Sequence, residues 1–68
     1  MYLVVDTVSR NVMGECETLQ GAKALFLELV AHHPQAATEI KILSETGKHQ
    51  KVADDEVRAA LEAAASLT

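Results

Sequence analysis

LQGAKALFLELVAHH, Leu19 to His33, is the stretch on which the fold turns. Leu19, Ala22, Leu25, Phe26, Leu29, Val30 and His33 recur at helical spacing and make one broad apolar stripe. The segment also carries the only phenylalanine, so a core has to be built against it. Thr18 stands at the N-cap position, although Gly21 occupies the place that a capping box fills with Glu or Gln. At the far end Pro34 disfavours the helical conformation at His33, so the helix is expected over residues 19–32. Pro34-Gln35-Ala36-Ala37 follows as a connector with room for one short helical turn.

Two strands precede the helix. YLVVDT, Tyr2 to Thr7, is short and valine-rich, and its first four residues are apolar on both faces, as in a central strand. VMGECE, Val12 to Glu17, alternates, with Val12, Gly14 and Cys16 directed one way and Met13, Glu15 and Glu17 the other. A turn at residues 8–11, with Asn11 as its left-handed residue, joins them in a hairpin. That loop sets Leu3 opposite Cys16 and Val5 opposite Gly14. Leu3, Val5, Val12 and Cys16 are then expected to face the helix.

Beyond the helix, EIKILS, Glu39 to Ser44, gives a third strand with Ile40 and Ile42 toward the core and Lys41 and Leu43 away from it. The shortest layout places it beside the first strand, in sheet order 2-1-3, and the connection over the sheet is right-handed. Glu45 to Lys48 turns at Gly47, and HQKVA, His49 to Ala53, offers a fourth strand whose lysines suit an edge. Asp54 then caps a last helix over residues 55–66, with Asp55 and Glu56 in its first turn where the dipole favours negative charge. Its large apolar groups are only Val57 and Leu61, with Leu67 beyond, so it is a cover rather than a second core. The expected fold is α+β, in the order ββαβ(β)α. A small, mainly antiparallel sheet of three to four strands carries the first helix on one face.

A chain of 68 residues makes a single domain, 1–68. It buries only about 60% of the surface its unfolded form exposes. Domains this small gain stability from disulfides, metals or association. Cys16 is the only cysteine, which excludes an internal disulfide and fits a reducing cytoplasm. Association remains, and a homodimer is the expected state. Six basic against ten acidic residues make the chain acidic, with a net charge of −4, which weighs against general nucleic-acid binding. MYLVVDT lacks a basic leader and no run approaches the ~20 apolar residues of a membrane span, so a cytoplasmic protein without a signal peptide or membrane contact is expected.

No residue pattern announces a reaction, and no catalytic, cofactor-binding or metal site is assigned. Glu28 and His32 share a helix face, but close-spaced Cys or His pairs are missing, and their contact reads as a surface pair near a helix C-terminus. Cys16, directed inward, reads as a small hydrophobe rather than a nucleophile. An enzyme or metal protein using Glu28, His32 and Cys16 is therefore the last of three readings. Lys48, His49 and Lys51 form the only basic run, without the frame of a phosphate loop and without an interleaved aromatic ring. Weak phosphate or nucleic-acid binding there, with help from Lys41, is the second. The first is a non-enzymatic interaction or regulatory module that self-associates, or docks on another protein, through the sheet face away from the helix. In the register above that face presents Tyr2, Val4, Met13 and Leu43, with Glu15 and Glu17 on its acidic rim. Val4→Glu is then expected to abolish association in a monomer that stays folded.

Overall fold

In the computed structural model, residues 1–66 are described. Their elements run β1 (Tyr2–Asp6), β2 (Asn11–Cys16), α1 (Leu19–His32), a 3-10 turn (Pro34–Ala36), β3 (Ile40–Ser44), β4 (His49–Gln50) and α2 (Asp54–Ser66). The four strands form one sheet in the order β2-β1-β3-β4, antiparallel at each pairing. The expected α+β class, element order and central position of the first strand are all observed. Leu67, expected to extend the last apolar stripe, lies outside the described residues.

The start of α1 follows its local chemistry. The Gly21 N–H donates to the Thr18 hydroxyl at 3.1 Å, so the cap operates without the Glu or Gln of a capping box. His33 closes the helix and is exposed, so it leaves the predicted stripe. Pro34 opens the short 3-10 turn that was expected after it. Ala22, Phe26 and Val30 form the buried line of the helix, and Leu19, Leu25 and Leu29 pack on its flanks.

The first strand turns the opposite way from the expectation. Val4 is fully buried beneath α1, with Ile40 and Ile42 beside it, and Tyr2 packs on the same core. Leu3 and Val5 therefore face away from the helix. The cause is a hairpin register one residue off: Tyr2 pairs with Cys16 and Val4 with Gly14. Asp6 sets it. Its Oδ1 accepts the Val8 N–H at 2.9 Å and the Ser9 N–H at 3.2 Å, so the turn begins at Asp6 and the loop is residues 7–10. The left-handed residue is Arg10 (φ 62°), not Asn11, which opens β2. A bulge between Val4 and Val5 then brings Val12 opposite Val5. Val12 is accordingly 56% exposed instead of covered, whereas Cys16 keeps its inward position.

Leu25 of α1 packs its side chain against Gly14 of β2, and a β-carbon there would oblige that side chain to shift. At the other edge, β4 is only two residues long. Val52, expected in that strand, leaves the sheet and is buried in the core. Asp54 is the first residue of α2 rather than its cap. Ala53 takes the capping position, its carbonyl accepting from the Glu56 and Val57 N–H groups at 3.1 and 3.2 Å. The helix packs against α1, with Val57, Ala60 and Leu61 on the core and Ala64 buried.

Candidate functional site

Strand pairing defines the sheet face left open by α1. One row across it runs Glu15, Leu3, Leu43 and His49, and the next runs Val12, Val5 and Lys41. Leu3, Val5 and Leu43 are half-buried and stand apart from the core on the helix side. Val12 and Met13 add exposed apolar surface at the β2 edge, 56% and 39% exposed. The centre of this face is aliphatic. Within these two rows the acid and base sit at opposite corners, Glu15 beyond Leu3 on one side and Lys41 beyond Val5 on the other.

Of the residues expected on this face, Leu43 and Glu15 are there, and Met13 is exposed at the bulge. Glu17 is exposed but falls after the end of β2. Tyr2 and Val4 are on the helix side, so Val4 is unavailable to any partner of the folded chain. Leu3 and Val5 take their places, and Lys41 stands on this face with Leu43, as the alternation of β3 predicts. Alternation in YLVV could not reveal this, because both faces of that strand are apolar. The available signal was Asp6, whose side chain anchors the turn one residue earlier than Asn11 would.

The basic run is divided by the fold. Lys41, His49 and Lys51 line one cleft at the β3 edge, while Lys48 belongs to the preceding turn and takes no part. The cleft has a volume of about 310 Å³. Phe26, Ile40, Ile42, Val57 and Leu61 make its apolar wall, and Asp54 is the only carboxylate among its described lining residues. It exists because β4 stops early. Thr7 N–H donates to the Glu39 carbonyl at 2.9 Å, which fixes the hydrogen-bond alternation along β3 and directs Ile40's backbone groups away from β1. Their next partner on the β4 side would be Val52, which has already left the sheet.

Glu28 and His32 are both exposed on α1, and Cys16 is half-buried against the core. Among the described residues, no three His, Cys, Asp or Glu side chains gather closely enough to hold a metal ion. No described helix is long and apolar enough to cross a membrane.

Comparison of the chain with protein-family models, with curated proteins and with solved structures gives no significant match.

Proposed function

We propose that this protein is a non-enzymatic interaction module of the cytoplasm that self-associates through the open face of its sheet. The observation that carries the proposal is the aliphatic cluster Leu3, Val5, Val12 and Leu43 on a face that no element of the described chain covers. Charge supports a second copy as the occupant. Glu15 and Lys41 lie on one diagonal of the face, and Val12 and Leu43 lie on the other. A two-fold axis in the plane of the face, along the Val12–Leu43 diagonal, sets Glu15 of each copy against Lys41 of its partner. The same axis stacks Leu43 on Leu43 and crosses the strands near a right angle, an accepted geometry for packed sheets. Four aliphatic side chains are a small patch against the ~800 Å² per partner of a standard interface, so a micromolar dimer is expected.

Charge reversal tests the arrangement. In sedimentation equilibrium, Glu15→Lys and Lys41→Glu should each weaken the dimer, and the double variant should recover most of the loss. Two losses that simply add would sink the paired geometry.

A further inference from the structure

We infer that self-association of this chain is governed by pH, with His49 as the side chain that senses it. The inference rests on the dimer proposed above and adds its regulation. The register pairs Leu43 with His49, so the imidazole stands on the open face, one strand outward from Leu43, and it is exposed. The two-fold axis that stacks Leu43 on Leu43 therefore draws the His49 side chains of the two copies together at one end of the aliphatic cluster.

A protonated His49 is unfavourable there for two reasons. Contact with a second copy removes water from an imidazole that is exposed in the single chain, and lost hydration disfavours the charged form. The surrounding charges also carry the wrong sign. On its own sheet the cations are Lys41, two residues before Leu43 on the same face, and the exposed Lys51. Glu45, two residues after Leu43, holds the Met1 ammonium, so that pair brings no net charge. Glu15 stands three strands away in the same row, and Asp54 opens α2, which packs beside α1 on the opposite face. From the second copy comes another His49, a like charge once both are protonated. Imidazole is the side chain that ordinarily changes charge between about pH 5 and 8, an interval over which carboxylates and lysines keep theirs. The single chain binds the proton more readily than the dimer does. Dissociation therefore takes up protons, and the dimer weakens as pH falls.

The test is sedimentation equilibrium of the whole chain at about pH 7 and about pH 5.5, at one ionic strength. The dimer dissociation constant should be about tenfold higher at the lower pH. His49→Gln should dimerise equally at both, and His49→Lys, charged throughout, should dimerise weakly at both. A chain carrying His32→Gln and His33→Gln, at the exposed end of α1, should keep the response of the wild type. Equal constants for the wild type at the two pH values would overturn the inference, as would a dimer that tightens on acidification. So would a His49→Gln protein that keeps the full response. A wild type that is monomeric at about pH 7 would sink the dimer and this inference with it, whereas a dimer indifferent to pH would sink this inference alone.

Discussion

Val4 and Val5 are adjacent valines with opposite roles. Val4 is fully buried under α1, and Val5 stands on the open face between Val12 and Lys41. An unpaired carboxylate costs several kcal/mol to bury. A domain's whole stability is only about 0.05–0.15 kcal/mol per residue. Val4→Glu should therefore unfold the chain, seen as loss of its cooperative thermal transition by circular dichroism. Val5→Glu should keep that transition and lose only association. The reverse pattern would mean that the register is wrong. Asp6 gives a second test. Hydrogen bonds from the Ser9 and Val8 N–H groups hold its carboxyl below the ordinary value of 3.8. A carboxyl depressed on folding contributes stability above its unfolded pKa and loses it as pH falls through the folded one. The stability of the wild type should thus decline below about pH 4 more steeply than that of Asp6→Asn, measured by urea unfolding across acid pH. Asp6 was also the residue from which the correct face could have been read. Nothing in YLVV discriminates its two sides, but an aspartate before the loop, able to accept from backbone N–H groups, marks where the turn begins.

Elements with strong local signals were legible. The α1 stripe, its Thr18 cap, the proline break and the Ile40/Ile42 face of β3 all follow from periodicity and capping chemistry. Elements fixed by their neighbours were not. The bulge in β2 falls at Met13 beside Gly14, where the alternation of VMGECE reads as unbroken, and β4 ends early because burying Val52 in the core wins over extending the ladder. The start of α2 was placed one residue late because Asp54 is a good cap residue, whereas the position belongs to Ala53. That leaves a correctable weakness. Ala53→Ser should stabilise the protein by about 1 kcal/mol, read as a higher urea midpoint with an unchanged slope. An unchanged midpoint would show that the first-turn carboxylates Asp54, Asp55 and Glu56 already satisfy the helix start.

At the scale of the whole molecule, one layer of helices covers one face of the sheet and no described element covers the other. α2 spends its few apolar groups beside α1, so nothing in the described chain remains to close the opposite side. Composition made association the expected remedy for a small core without a disulfide, but only the register identifies which residues the open face would offer to it. The candidate site was therefore half legible: Leu43, Lys41 and Glu15 could be assigned from alternation, whereas Leu3, Val5 and Val12 required the hairpin geometry. The basic run behaved similarly, since its chemistry was visible in sequence and its cleft was not. The most direct test of this account is the solution mass of the wild-type chain by light scattering, over a dilution series through the micromolar range. The account predicts a mass near twice the 7.3 kDa of one chain at the concentrated end, falling toward one chain on dilution. A mass of one chain at every concentration would contradict it.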